Sequence, residues 1–266
     1  MFIAAKLFAF FKICVWRSCP SLPTHVFHNC LPSMSLRIIS GDYSGRKLMT
    51  PPGETTRPYT ERVRQKVFDR LGDEVEGSRM ADIFSGVGTM GLEGLSRRAA
   101  SCVFFEANPD VHEALSKNVQ KIAGDHTTLC WKTNVHRTSF VPSGVDDAIP
   151  YDLVFFDPPY VQCDLLEPKK ALGKALTRLS RDRATSPEAK VILRTPDRVC
   201  FSGVPGWRID DIWHISTMKL WILKKPDSKP TESPRMAIED SNLKTAPSCQ
   251  KAVSYTHLTL PTICSV

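Results

Sequence analysis

Residues 82–93 read DIFSGVGTMGLE, a G-x-G-x-x-G loop that follows an apolar, strand-length run at 80–84 and precedes a helical pattern. Such a loop needs a strand to aim it and a helix whose N-terminus it opens, so it commits its surroundings to alternating strands and helices. Further apolar runs fit that plan at 101–105, ending at Glu106; at 128–131, ending near Asn134; at 152–156, ending at Asp157; and at 190–193, ending at Thr195. Near-continuous apolar runs predict strands covered on both faces. Between the second and third, Asn108 and Pro109 read as the cap and first residue of a helix with Val111, Leu115, Val119 and Ile122 on one side. The repetition predicts an α/β fold with a mostly parallel sheet, right-handed crossovers and ligands at the carboxyl ends of the strands. Runs at 208–215 and 218–223, separated by Ser216 and Thr217, read as a closing antiparallel hairpin.

Ahead of this body, residues 36–39 and 46–49 flank a turn at 41–45 and predict a small hairpin. Pro58, Tyr59 and Thr60 then lead into a helix with the apolar stripe Val63, Val67, Leu71 and Val75. Arg62, Arg64, Lys66 and Arg70 fall off that stripe, so the helix is expected to pack on the body with its guanidinium groups outward. The stretch 37–70 carries eight bases against four acids and accounts for the basic excess of the central region. A local basic arm on a near-neutral body suits phosphate-backbone binding, although a solvated hairpin and helix would look the same.

The ends read differently. Residues 1–33 contain Lys6, Lys12 and Arg17 and no acid. Lys6 and Lys12 interrupt the apolar stretch well short of the roughly 20 residues of a membrane span, so this segment is expected to be an upstream or targeting extension, with Met34 the more convincing start. After Lys225 the chain is polar and punctuated by proline, which predicts a disordered tail, and residues 254–266 resemble translated vector sequence. The expected organisation is thus an extension at 1–33, a basic hairpin and helix at 34–79, a catalytic domain at 80–225 and a tail at 226–266. Of nine cysteines only Cys102, Cys130, Cys163 and Cys200 fall in the central region, with no C-x-x-C pair. Reduced, packed thiols, no metal site and a cytoplasmic protein are expected.

Chemistry is carried by two places. The glycine loop with Glu106 would serve a dinucleotide or an adenosyl cofactor alike, since a carboxylate there can hold ribose hydroxyls. Asp82 favours the second: it is poorly placed beside a pyrophosphate but suits the ammonium of an amino-acid moiety, such as the methionine end of S-adenosylmethionine. The second place is Asp157-Pro158-Pro159-Tyr160 at a strand end. Two prolines fix the backbone, remove two N–H donors and leave carbonyls facing a cleft. An exocyclic nucleobase nitrogen could then donate to the Asp157 carboxylate and the Pro158 carbonyl while Tyr160 stacks on the base. No metal is required.

With the runs RIISGDYSGRKL at 37–48, RPYTERVRQKVFDRL at 57–71 and DIFSGVGTMGLEGLSRRA at 82–99, together with Glu106, Asn118 and DPPY, the chain resembles the bacterial RsmD family. These are S-adenosylmethionine-dependent methyltransferases acting on a guanine N2 of 16S ribosomal RNA. The resemblance implies a Rossmann-like class I methyltransferase with a seven-stranded sheet, acting as a monomer on RNA that is free or within a partly assembled small subunit, with no membrane partner. It places Asp82, Phe84, Gly86, Gly88 and Glu106 at the cofactor, Asn134 on the adenine side, and Asp157 to Tyr160 at the reaction. It also places Arg37, Arg46, Lys47, Arg57, Arg62 and Arg64 on the RNA. Val87 stands where the family usually has Ser or Thr, and Ser44-Gly45 replaces a basic-glycine pair. An adenine-N6 methyltransferase, a dinucleotide-dependent reductase and a non-catalytic RNA-binding protein are the competing readings.

Overall fold

The glycine loop is set at the centre of a seven-stranded sheet in a computed structural model that describes residues 36–51 and 59–226. The expected extension at 1–33, Arg57, and the expected tail beyond Pro226 lie outside the described residues. The elements run α1 (Glu61–Leu71), β1 (Arg79–Ile83), α2 (Thr89–Ser96), β2 (Ser101–Glu106), α3 (Pro109–Ala123) and β3 (Thr127–Lys132). They continue through β4 (Tyr151–Phe156), α4 (Ala171–Leu179), β5 (Thr185–Pro196), β6 (Arg208–Ile215) and β7 (Met218–Lys224). The strand order is β3-β2-β1-β4-β5-β7-β6. Strands β1 to β5 are parallel to one another, and β7 runs antiparallel to both β5 and β6. The order reverses between β1 and β4, which opens a crevice at their carboxyl ends.

Alternation along each strand sends side chains to two apolar layers. Met80, Phe104, Phe155 and Ile192 face α1, α2, α3 and the N-terminal hairpin. Ala81, Phe105, Phe156 and Leu193 face α4 and the loops around it. Both sheet faces are therefore dry, as the continuous apolar runs require. Asn108 caps α3, accepting from the backbone amides of Asp110 (3.0 Å) and Val111 (3.3 Å), and Pro109 occupies the first turn. Strand β5 begins five residues before the apolar run at 190–193, because Thr185 pairs with Tyr151 across a register shift that the polar stretch Ser186–Glu188 conceals in sequence. Among the described residues no helix is long and apolar enough to cross a membrane.

The N-terminal hairpin shares the core of the sheet. Arg37 and Lys47 form an isolated bridge, and Ile38 and Leu48 are buried against α1 and the body. Its turn is clamped by α2. Fully buried Glu93 accepts from the backbone amides of Ile39 (2.8 Å) and Ser40 (3.1 Å) and from Arg97 Nε (3.1 Å). Ser96 Oγ donates to the Ser40 carbonyl and accepts from the Tyr43 amide. Gly41, at φ +84°, lies so close to the Ser96 carbonyl that a Cβ would sit 1.8 Å from its oxygen. Further along, Asn118 accepts from the Met49 amide and donates to the carbonyls of Met49 and Val87, joining the hairpin to the glycine loop.

Arg64 corrects the expectation that the cations of α1 face outward. It is fully buried, and its Nη2 donates to the Arg37 carbonyl at 2.6 Å. It lies one turn before Phe68 and two before Leu71, on a face that the hairpin covers from the other side, so α1 is packed along more of its circumference than its apolar stripe implies. Arg62, Lys66 and Arg70 do face solvent.

Removing the Glu93 carboxylate leaves two hairpin amides and Arg97 Nε without their acceptor. Glu93→Ala should lower stability by about 3 kcal/mol, read as a shift in the urea midpoint, and the amides of Ile39 and Ser40 should lose hydrogen-exchange protection. A midpoint equal to that of the parent would show that the clamp holds nothing.

Candidate active site

Strand β1 ends in a turn whose first residue, Phe84, has φ +64°, a conformation that costs a non-glycine residue energy. Its ring packs edge-on against Phe156 at 5.7 Å, which holds the turn in place. Gly86 has φ +56° and no atom within 4 Å of where a Cβ would lie, so the space above it is open. Gly88, at φ +88°, starts α2, and a Cβ there would lie 2.7 Å from Leu115 Cδ1. One glycine thus leaves room and the other allows close packing of α3.

Two carboxylates flank this loop. Asp82, 2% exposed, accepts from the Gly91 amide at 2.8 Å. Burial pushes its carboxyl up to about 8; the Gly91 hydrogen bond opposes the shift, while the nearby charges of Asp157 and Glu106 add to it. At the end of β2, Glu106 accepts from the amides of Gly86 (3.0 Å), Ala107 (2.9 Å) and Asn108 (2.8 Å), so its carboxylate is fixed at the mouth of the turn. Asn134 is exposed and accepts from the His136 amide at 2.9 Å. The Thr133 amide donates to the Glu106 carbonyl, which brings Asn134 to the same edge of the sheet. Open space above Gly86, an anchored carboxylate beside it and the buried Asp82 carboxyl fit a ligand with ribose hydroxyls and an ammonium group.

The tetrapeptide lies at the neighbouring strand end. The Asp157 amide donates to the Ile83 carbonyl at 3.1 Å, tying it to the glycine turn. Pro158 is buried, whereas Pro159 and Tyr160 are exposed at the rim. The Pro159 carbonyl accepts from the Gln162 amide at 2.8 Å and starts a 3-10 segment at Tyr160–Leu166. Burial raises the Asp157 carboxyl to about 6, held there against a larger rise by the Arg194 guanidinium. Arg194 Nε lies 2.5 Å from Asp157 Oδ1. Neither atom has an aligned hydrogen bond, so the contact acts as a charge pair. The guanidinium also lies 4.4 Å from the Tyr59 ring and 5.1 Å from the Tyr160 ring.

The expected RNA contacts divide. Arg37 forms a two-pronged, exposed ion pair with Glu61 (3.0 and 3.2 Å). Arg46 donates to the Ile122 carbonyl and covers the Tyr43 ring at 4.7 Å. Lys47 and Arg62 are exposed, Arg64 is inside, and Arg57 lies outside the described residues. A cleft of about 340 Å³ lined by Cys163, Leu166, Arg198 and Phe201 contains none of the expected site residues.

The family described as Conserved hypothetical protein 95 matches residues 36–209. The chain belongs to this family, the RsmD family. Ribosomal RNA small subunit methyltransferase D of Escherichia coli K12 is 34% identical over 128 residues, 48% of this chain and 62% of that protein. The protein of the same name from Haemophilus influenzae is 30% identical over 162 residues, 60% of this chain and 78% of that protein. A solved Escherichia coli structure, the candidate methyltransferase yhhF, is 26% identical with a TM-score of 0.59, covering 72% of this chain and 98% of that one. The match to the Escherichia coli K12 relative thus spans about three-fifths of that protein's length. The fold is the Rossmann-like class I methyltransferase fold, with its single antiparallel strand at β7.

Sequence reasoning missed Arg194 and Tyr59. A cation directly following the apolar run of β5 was the available signal for Arg194, since a charge at the carboxyl end of a central strand faces the crevice. Tyr59 had no such signal, because its place over the sheet follows from how α1 docks.

The Asp82 carboxyl, ordinarily near 3.8, is raised to about 8 in the folded chain, so between those values the native state binds the extra proton. Stability contributed by this site therefore falls as pH rises through that window. In Asp82→Asn the amide oxygen can still accept from Gly91 and nothing titrates. Between pH 5 and pH 8 the urea midpoint of the parent should fall more than that of the variant; parallel curves would refute the burial argument.

Proposed function

We propose that the chain transfers a methyl group from S-adenosylmethionine to the exocyclic N2 of a guanine in small-subunit ribosomal RNA. The observation that carries this reading is the placement of the Asp157-Pro158-Pro159-Tyr160 turn beside the glycine turn, joined to it by the hydrogen bond from Asp157 to Ile83. The names of the family relatives support the RNA substrate. Asp82 would take the ammonium of the cofactor, Glu106 the ribose hydroxyls, and the open space at Gly86 its approach. When bound, S-adenosylmethionine supplies an electrophilic methyl group on a sulfonium.

The protein's share is positioning and electrostatics. An arylamine nitrogen is a poor nucleophile because its lone pair is delocalised into the ring. Hydrogen bonds from its two N–H groups to the Asp157 carboxylate and the Pro158 carbonyl favour a pyramidal nitrogen whose lone pair points away from the ring. A carboxyl near pH 6 is ionised for this task at neutrality and basic enough to receive the proton that the alkylated nitrogen must lose. Tyr160, at the rim, offers a face on which the unstacked base can rest. A dinucleotide is disfavoured, since its pyrophosphate would approach the buried Asp82 carboxyl.

The test is calorimetry with S-adenosylmethionine, followed by transfer of labelled methyl to small-subunit ribosomal RNA and nucleoside analysis. Glu106→Ala should weaken cofactor binding by about 1–3 kcal/mol with the fold intact. Asp157→Ala should remove most methyl transfer at saturating substrate while cofactor affinity stays near that of the parent. Nicotinamide dinucleotide binding without S-adenosylmethionine binding, or RNA binding without transfer, would each defeat the reading.

Arg62 and Lys47 are the exposed cations on which RNA phosphates could be gripped without breaking an internal contact. Replacing both with Gln should weaken RNA binding and lower the slope of log affinity against log salt by about one to two. Cofactor affinity should not change. An unaltered slope would make them solvated surface charges.

A further inference from the structure

We propose that Arg194 is the positioning residue of the tetrapeptide, with one guanidinium fixing the Asp157 carboxylate through charge and the Tyr160 ring through stacking, and with Tyr59 as its backing plate. The inference rests on the reading that Asp157 accepts the substrate amine. Sheet register brings the groups together. Phe156 pairs with Leu193, so the next positions, 157 and 194, are neighbours across β4 and β5 on the same face. Asp82 shares that face, two residues beyond Met80, as Asp157 is beyond Phe155 and Arg194 beyond Ile192. Tyr59, immediately before the cap of α1, covers them from the helical layer and is 2% exposed.

Arginine suits this place for a physical reason. A guanidinium is flat, so its plane can stack on rings while its edge meets a carboxylate, and it keeps its charge when buried. Here the rings lie 4.4 Å (Tyr59) and 5.1 Å (Tyr160) from it, and Arg194 is 8% exposed. Such a group has little freedom to leave. The charge pair engages Asp157 Oδ1. The described groups that face Asp157 are Asp82 from β1, Tyr59 from the segment before α1, Cys163 from the 3-10 segment and Arg194 from β5. Among these described neighbours only Arg194 is a cation, so it alone opposes the desolvation that favours a neutral Asp157.

The device therefore has two separable parts, charge and shape. A lysine restores the first and not the second. The experiment uses the full chain as the parent, Arg194→Met, Arg194→Gln and Arg194→Lys. Carboxyl-carbon NMR of protein labelled at aspartate follows Asp157, whose signal is assigned by its loss in Asp157→Asn. In the parent it should titrate near pH 6. In the Met or Gln variant, whichever folds, it should titrate at least one pH unit higher, and the acid limb of kcat should move up with it. At pH 7 kcat should fall about twofold or more, as the ionised fraction of Asp157 does, and recover in part at pH 8.5. The Lys variant should titrate close to the parent yet show a severalfold higher KM for RNA, because the Tyr160 ring is no longer clamped.

An Asp157 titration unchanged in the neutral variants overturns the proposal, as does a Lys variant whose titration is displaced as far as theirs. The titration needs no turnover. If the parent transfers no methyl group to RNA, the functional reading fails while the NMR result still decides whether Arg194 governs Asp157.

Discussion

Three ionisable side chains, Asp82, Asp157 and Arg194, sit at the carboxyl ends of β1, β4 and β5 on one face of the sheet, Asp82 and Arg194 buried and Asp157 partly buried. Charges in such a place must be compensated or neutralised. Asp157 has its compensation in Arg194. Asp82 has one backbone amide and two carboxylates within its field, and it answers by holding its proton to about pH 8. Most of the surrounding architecture serves to keep these groups at fixed separations: continuous hydrogen-bonded strands beneath them, Phe156 against the strained Phe84 turn, and Tyr59 above.

The N-terminal segment takes part in that arrangement and does not hang from it as a loose arm. Glu93 and Ser96 of α2 hold the turn of the hairpin, Asn118 of α3 holds its far end together with the Val87 carbonyl, and Arg64 lies sealed between hairpin and helix. The hairpin that carries Lys47 is thus fixed to the helices beside the glycine turn, and Arg64 ties it to α1, which carries Arg62. A rigid link of this sort would serve the proposed function, in which RNA is gripped at its phosphates while one base is placed in the crevice, because misplacement of reacting atoms by about 1 Å costs rate steeply.

The chain's own residues determine much of this. Continuous apolar runs can survive only as strands buried on both faces, so the sheet and its parallel character were legible, as were the cap at Asn108, the hairpin after Arg208 and the glycine turn. Asp82, Glu106 and Asp157 were legible as candidates because each ends an apolar run or stands just below the turn, and such positions point to the crevice. What the sequence withheld depends on register and docking. Arg64 reads as an outward cation on a helical wheel, and only the hairpin folded over α1 makes it interior. Arg194 becomes a neighbour of Asp157 through the pairing of Phe156 with Leu193, and Tyr59 reaches both only once α1 has settled on the sheet. Local periodicity fixes which face a residue prefers within its own element. Which charges meet across elements is decided by strand alignment and packing angle, contacts between residues far apart in sequence that no local pattern records.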